Sequence, residues 1–250
     1  NLMKHKDIYR IYILLLVALL FGISIFAYKQ IFKDKEIIVS PLPNFLTALA
    51  NDQVFTLNLW SPFFEVFENQ NKVPVIGAKS ALIYDLTNEK VLFSKSPERK
   101  LPMASLTKIM TAIVAIESRR QDDKYLVFSE NLVGENSMGL SAGETLTLKE
   151  LLYGLILTSG NDAAETLSSN FSDGRAQFII VMNNKAKAMG LKNTHFTNPT
   201  GLEGDGRQYT TVYDLLVITN YALQFPIFKE VAKTFIYEIP YSEKHKAFYL

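Results

Sequence analysis

The stretch Ala104-Ser105-Leu106-Thr107-Lys108-Ile109-Met110-Thr111-Ala112 decides how the rest of the chain is read. Apolar residues at Leu106, Ile109, Met110, Ile113 and Val114 recur at three- and four-residue spacing. This predicts a helix with one buried face that starts just after Pro102. On such a helix Ser105 and Lys108 share a side, one turn apart. A serine hydroxyl is a poor nucleophile unless a neighbour takes its proton, and a lysine amine can do so only when neutral. Partial burial and the positive end of the helix dipole both disfavour the ammonium, so the pair needs no histidine. The spacing alone proves little: random order yields about one Ser-x-x-Lys pair in a chain this rich in serine and lysine, and an N-capping serine is the plainer alternative.

Downstream, Thr147-Leu148-Lys149-Glu150 reads as a capping box. It is followed by a stripe of Leu148, Leu151, Leu152, Leu155 and Ile156 that stops at Gly160. Asp162-Ala163-Ala164-Glu165 is a second helix start, so Ser159-Gly160-Asn161 falls in the joint between two helices. Ser-x-Asn is also a cheap pattern, and it recurs at Ser168-Ser169-Asn170. Upstream, Ala81 to Asp85 and Val91 to Ser94 flank the turn-prone Thr87-Asn88-Glu89-Lys90 as a hairpin. No internal repeat or low-complexity tract interrupts the chain from this hairpin onward, and that part reads as a single globular unit.

The whole chain has 250 residues, 48% hydrophobic and 20% charged, with 26 basic and 25 acidic side chains and no cysteine. A disulfide scaffold, a cysteine-ligated zinc site and a cysteine nucleophile are thereby excluded. A net charge of +1 argues against general nucleic-acid binding. Six basic and two acidic groups in residues 1–35 give that end a local +4, leaving −3 for the remainder. Within it, Ile11 to Tyr28 carries no charge over 18 residues, or 21 counted from Ile8 past Arg10. At about 1.5 Å per residue, 21 helical residues reach roughly the 30 Å of a bilayer core. Tyr9, Tyr12 and Tyr28 sit where amphipathic rings favour the interface. With no A-x-A-like cleavage site after the run, residues 8–28 read as an uncleaved transmembrane anchor, with residues 1–7 a short tail. Lys/Arg flank both ends equally, so the charge count does not orient it. Residues 29–75, punctuated by Pro41, Pro43, Pro62 and Pro74, read as a spacer, and the globular domain as residues 76–250.

Order and surroundings lift the two cheap motifs. Ala104 to Ala112 followed by Ser159-Gly160-Asn161-Asp162-Ala163-Ala164 resembles the serine-type D-alanyl-D-alanine carboxypeptidases, the low-molecular-mass penicillin-binding proteins. The resemblance continues through Gly77 to Asp85, Ser137 to Glu144, Gly190 to Pro199 and Gln208 to Asp214. It implies a β-lactamase/transpeptidase-like α/β sandwich (α+β), a central antiparallel sheet flanked by helices, here behind one N-terminal transmembrane helix. By the same resemblance Ser105 is the acylated nucleophile, Lys108 its proton acceptor, Ser159 the relay toward the leaving D-alanine, and Asn161 the amide that holds the substrate backbone and Lys108. The implied partners are peptidoglycan stem peptides ending in D-Ala-D-Ala, with β-lactams as inhibitors and no cofactor or metal. A wall peptidase meets its substrate outside the bacterial cytoplasmic membrane, so the domain is expected there.

The family's third motif, Lys-Thr-Gly on an edge strand, clamps the substrate carboxylate, and it does not occur in these 250 residues. Lys233-Thr234-Phe235 is the nearest match, but it lacks the glycine and comes too early. The sequence-level expectation is a chain truncated at its C-terminus, which taken alone turns over weakly or not at all. Two rival readings stay open. A class A β-lactamase resembles Ser-Asp-Asn at the second motif and adds a Glu-x-x-x-Asn; here the second motif is Ser-Gly-Asn, and no glutamate downstream of it has an asparagine four residues later. A membrane-tethered wall-binding module without catalysis is the other. Gln208, where relatives often carry histidine, attracts no chemistry. Asp162, Glu165 and Asp214 read as helix-start residues, and His5, His195 and His245 as solvated or packed side chains.

Overall fold

The computed structural model describes residues 74–118, 123–202 and 206–250. The anchor expected over 8–28 and nearly all of the spacer expected over 29–75 lie outside the described residues. Among those described, no helix is long and apolar enough to cross a membrane. The first strand pair of the described residues is the expected hairpin, β1 (Ala81–Asp85) antiparallel to β2 (Lys90–Lys95), with a bulge between Ile83 and Tyr84. Its turn is closed by the Asp85 carboxylate, which accepts from the N–H of Thr87 at 2.8 Å and of Asn88 at 3.1 Å.

A single 3₁₀ turn, Ala104–Leu106, then leads into α1 (Thr107–Ser118). Ser105 therefore lies in a tight turn ahead of the helix and not in its first α-helical turn. Ala104 is the reason: its φ of +46° is incompatible with a right-handed helix. The expected single buried face on α1 also needs correction. Met110 to Ile116 are buried without interruption, as are Thr107 and Lys108. Such a helix is enclosed on all sides. The reason is that α2 (Leu148–Leu157), α3 (Asn161–Ser169), α4 (Gly174–Ala188) and α5 (Val212–Ala222) all pack on it. Thr107, Thr111, Ala112 and Ala115 keep it thin enough for four neighbours. Leu106, expected in the core, is half exposed because it belongs to the turn.

α2 starts as its sequence demands. Thr147 Oγ1 accepts from the Glu150 N–H, and Glu150 Oε2 accepts from the Thr147 N–H at 2.7 Å. Its Leu148, Leu151, Leu152 and Leu155 are sealed in the core, each contributing about 1.5–3 kcal/mol by removal from water. α6 (Pro226–Ala232) packs on α2. β3 (Lys124–Leu126) pairs antiparallel with β4 (Thr145–Thr147), and β5 (Glu238–Ile239) with β6 (Phe248–Tyr249).

The architecture is a mixed α/β fold around one apolar core. In place of the expected single central sheet, the described residues hold three separate two-stranded ladders. Among them β1–β2 reaches the helices through α5, and β4 also donates from the Thr145 N–H to the Lys244 carbonyl at 3.1 Å. Two isolated bridges matter more for the site. Leu101 pairs with Thr210 and His195 with Tyr209, so the segment around residues 208–210 is held between the approach to α1 and the 195–202 loop. Lys233-Thr234-Phe235 lies in the turn after α6 with Phe235 exposed, on no strand.

Candidate active site

Three of the four site residues expected from the sequence converge on one atom. Lys108 Nζ donates to Ser105 Oγ at 3.2 Å, to Asn161 Oδ1 at 2.8 Å and to the Thr200 carbonyl at 2.7 Å. All three acceptors are neutral. Lys108 is only 2% exposed, so its charge is carried without a directly paired carboxylate. Burial accordingly lowers its pKa to about 8, against which the more distant Asp162 charge acts to raise it. At pH 7 a pKa near 8 leaves about a tenth of the amines neutral, against roughly one in three thousand for an ordinary lysine.

The hydrogen-bond inventory of the amine gives this shift a direction in space. The ammonium fills all three acceptors; the neutral amine has two N–H groups and one lone pair. Asn161 Oδ1 and the Thr200 carbonyl can only accept, so they retain the two N–H groups. The lone pair is left facing the one partner able to donate, the Ser105 hydroxyl. Ser105 itself is exposed, on the open side of the turn, where an incoming group can reach it.

Asn161 is placed by the α2–α3 joint. Its N–H donates to the Asn136 carbonyl at 2.8 Å, and Gly160 donates to the Gly154 carbonyl at 3.0 Å, which fixes the start of α3. The Asn161 Nδ2 is buried with no hydrogen-bond partner among the described residues. A Cβ built on Gly134 would stand 3.1 Å from it, so the missing side chain there leaves that amide room. Ser159 is the fourth expected residue. No hydrogen bond joins it to the other three; its Oγ is buried and unpartnered among the described residues, and its φ is +55°. Two unpartnered polar groups two residues apart, one on a strained backbone, are typical of a site waiting for a ligand.

Sequence reasoning missed four contributors. The Thr200 carbonyl is a third partner of Lys108 and, as backbone, leaves no signature in residue type. Gly201, φ +87°, allows that loop to touch the nucleophile turn: a Cβ there would stand 1.9 Å from the Ala104 carbonyl oxygen. Gln208 bonds both to the loop and to Thr107. Asp162, read as a helix start, has a larger role. Its buried carboxylate accepts from the N–H groups of Met138, Gly139 and Leu140 at 3.0, 3.1 and 2.9 Å and from the Ser137 hydroxyl at 2.5 Å. The Ser137 to Leu140 turn is thereby anchored beside Asn161. The family resemblance of Ser137 to Glu144 ahead of the Ser-Gly-Asn-Asp stretch was the available signal. Glu165 pairs with Arg175 at 2.6 Å, and Asp214 accepts from Asn193 and Thr194, so both serve packing. Among the described residues no three His, Asp or Glu side chains stand together as a metal site.

Residues 67–249 match the sequence pattern of the D-alanyl-D-alanine carboxypeptidase family. The chain is 37% identical over 155 residues to the D-alanyl-D-alanine carboxypeptidase DacF of Bacillus subtilis, covering 59% of this chain and 39% of that one. It is 32% identical over 162 residues to a D-alanyl-D-alanine endopeptidase of Pseudomonas aeruginosa, covering 64% and 52% respectively. Among solved structures, a D-alanyl-D-alanine carboxypeptidase of Mycobacterium tuberculosis superposes with a TM-score of 0.64 at 30% identity, over 71% of this chain and 68% of that one. A Streptomyces DD-transpeptidase gives a TM-score of 0.64, also at 30% identity, over 67% and 69%. The chain spans about half the length of the sequence relatives it matches. A family match across most of the chain, on a fold that brings Ser105, Lys108 and Asn161 onto one amine, means that the chain belongs to the D-alanyl-D-alanine carboxypeptidase family.

Proposed function

We propose that the protein is a serine-type D-alanyl-D-alanine carboxypeptidase that removes the terminal D-alanine from peptidoglycan stem peptides. The observation that carries this is the buried Lys108 amine 3.2 Å from the exposed Ser105 hydroxyl, with its other two partners able only to accept and burial lowering its pKa to about 8. In the first step Lys108 takes the hydroxyl proton as Ser105 Oγ bonds to the carbonyl carbon of the penultimate D-alanine. The peptide C–N bond then breaks, and the departing amine of D-alanine takes up a proton. Ser159 is the proposed relay for that proton, and the free Asn161 amide the donor to the substrate backbone. Water hydrolyses the resulting ester and returns Ser105 to its starting state. The Ser105 N–H is proposed as one donor of the oxyanion hole. β-Lactams would acylate the same oxygen.

Membrane attachment through residues 8–28, with the domain on the outer side of a bacterial cytoplasmic membrane, is part of the same proposal. It is supported by the uncharged run there and by where such substrates are found. A single central antiparallel sheet, with β1–β2 as part of it, is likewise proposed for the family fold.

A second reading is favoured by one feature. No Lys-Thr-Gly occurs in the 250 residues, so a protein consisting of these residues alone would bind and acylate but turn over weakly. Incubation with a diacetylated L-Lys-D-Ala-D-Ala peptide and quantitation of free D-alanine decides between them. Release that disappears in Ser105→Ala supports the carboxypeptidase; a penicillin adduct without release supports the weak-turnover reading; neither adduct nor release overturns both.

A further inference from the structure

We propose that Gln208 is a positioning residue whose carboxamide ties the turn bearing Ser105 to the loop whose carbonyl holds Lys108, and so fixes the amine against the hydroxyl. This deepens the reading of Ser105 and Lys108 as nucleophile and base, and rests on it.

Both ends of the carboxamide are engaged. Gln208 Oε1 accepts from the N–H groups of Thr197 at 2.8 Å and Asn198 at 3.1 Å. Gln208 Nε2 donates to Thr107 Oγ1 at 3.0 Å, and that hydroxyl donates onward to the Ala104 carbonyl at 2.8 Å. One end therefore reaches the residue immediately before the nucleophile, held at its positive φ. The other end reaches a loop organised by Asn198, whose Oδ1 accepts from the N–H groups of Thr200 at 3.1 Å and Gly201 at 2.7 Å. That turn presents the Thr200 carbonyl to Lys108, while Thr111 Oγ1 donates to the Pro199 carbonyl next to it at 2.7 Å.

The backbone beside Gln208 is itself fixed. Tyr209 exchanges two hydrogen bonds with His195 and Thr210 exchanges two with Leu101, so the side chain projects from a segment pinned on both edges. The chemistry demanded at this place is one acceptor for two N–H groups and one donor for a hydroxyl. A carboxylate offers only the first and an ammonium only the second; a carboxamide offers both.

The consequence falls on Lys108. Its lone pair points at Ser105 only while Asn161 and the Thr200 carbonyl hold the other two directions. Freeing the loop lets the amine turn and lets water reach it. Burial then weakens, and the midpoint moves up toward that of an ordinary lysine. Ser105, Asn161 and Thr200 are neutral, and Asp162 is the charged group that acts on this amine, so Gln208→Ala changes no charge around it.

The test compares Gln208→Ala and Gln208→Glu with Asn183→Ala in the full chain. Asn183 holds Phe196 through two hydrogen bonds, at 3.0 and 2.8 Å, so its loss loosens the same loop one residue upstream without touching Thr107. Two readouts are used: NMR titration of Lys108 Nζ in protein carrying ¹⁵N-lysine, and the pH profile of acylation by a fluorescent penicillin. In Gln208→Ala the Lys108 midpoint should rise by about one pH unit and acylation at pH 7 should fall about ten-fold. Gln208→Glu, which keeps the acceptor, loses the donor and adds a negative charge that itself favours the ammonium, should raise the midpoint at least as far as Gln208→Ala. Asn183→Ala should lower Tm while leaving the midpoint within about 0.3 of a unit. An unmoved midpoint in Gln208→Ala, or an equal rise in Asn183→Ala, overturns the proposal. A parent protein that penicillin does not label sinks the catalytic reading instead, and the titration still decides the role of Gln208.

Discussion

Lys108 and Asn161, 53 positions apart in the chain, meet at 2.8 Å through amine and amide oxygen. The contact joins the N-terminal ends of α1 and α3, two helices that pack on each other in the core. It uses the acceptor half of the amide and leaves the donor half, Nδ2, buried and open for a ligand among the described residues. Under the proposed function one side chain would both orient the base and address the substrate, and the two tasks could not be altered separately at that position. The surroundings of this amine have measurable consequences.

Acylation of Ser105 should depend on the neutral fraction of Lys108. Its rate by a β-lactam is expected to climb about ten-fold per pH unit below about 8 and to level off above it. Lys108→Arg, which cannot lose its proton near neutrality, should reduce the rate by at least about a hundred-fold. A flat profile between pH 6 and 9 in stopped-flow measurements would contradict the assignment.

The same shift acts on stability. The folded pKa of Lys108 is lowered below the unfolded value, so between about 8 and 10.5 the unfolded chain holds a proton that the folded chain has released. Unfolding free energy must therefore gain from this group as pH rises through that window, by an amount on the order of 1–3 kcal/mol. Urea unfolding of the parent at pH 7.5 and 10 should show that gain relative to Lys108→Met, in which it is absent.

Asp162→Asn makes the opposite test. It removes a carboxylate that accepts from three backbone N–H groups of the Ser137 to Leu140 turn, and a stability loss of about 2–3 kcal/mol is expected. Because the Asp162 charge raises the Lys108 pKa, its removal should move the acylation profile to lower pH. A profile displaced to higher pH would show that loosening of the turn outweighs the lost charge.

Gly201→Ala should be severe for its size. The added methyl group meets the Ala104 carbonyl at 1.9 Å and imposes a positive φ on a residue with a Cβ. Separation of the 195–202 loop from the nucleophile turn should cut Ser105 labelling by more than about ten-fold. Gly139→Ala also has a positive φ, but nothing lies within 4 Å of its Cβ position, and it should leave labelling within about three-fold.

Away from the site, Lys185 and Glu117 form an ion pair at 2.5 Å between α4 and α1, with Lys185 fully buried and Tyr221 donating to the same carboxylate. Lys185→Met removes this buried cation from the Glu117 carboxylate, and a loss of about 3–5 kcal/mol is expected from thermal or urea melts.

Local signals in the sequence were sufficient wherever the partners are neighbours. The hairpin between β1 and β2 and the Thr147–Glu150 capping box are found where their patterns place them; Ser105 and Lys108 do meet, but with Ser105 in a 3₁₀ turn ahead of the helix and not on it. The exceptions are tertiary. Residue spacing on α1 implied one buried stripe because spacing cannot tell how many neighbours a helix has, and four are present. Gln208 bonds to Thr107 across 101 positions, and Lys108 to Thr200 across 92, through a carbonyl that every residue possesses. The turn around Ser105 depends on a positive φ at an alanine, a conformation that its composition argues against.

The central claim, that Ser105 is a nucleophile activated by the Lys108 amine, is tested most directly by mass spectrometry of the protein after brief exposure to benzylpenicillin. The account predicts one covalent adduct, mapped to the peptide containing Ser105, forming in the parent and not within the same time in Lys108→Ala. An unmodified Ser105, or an adduct that forms as fast without the Lys108 amine, would contradict it.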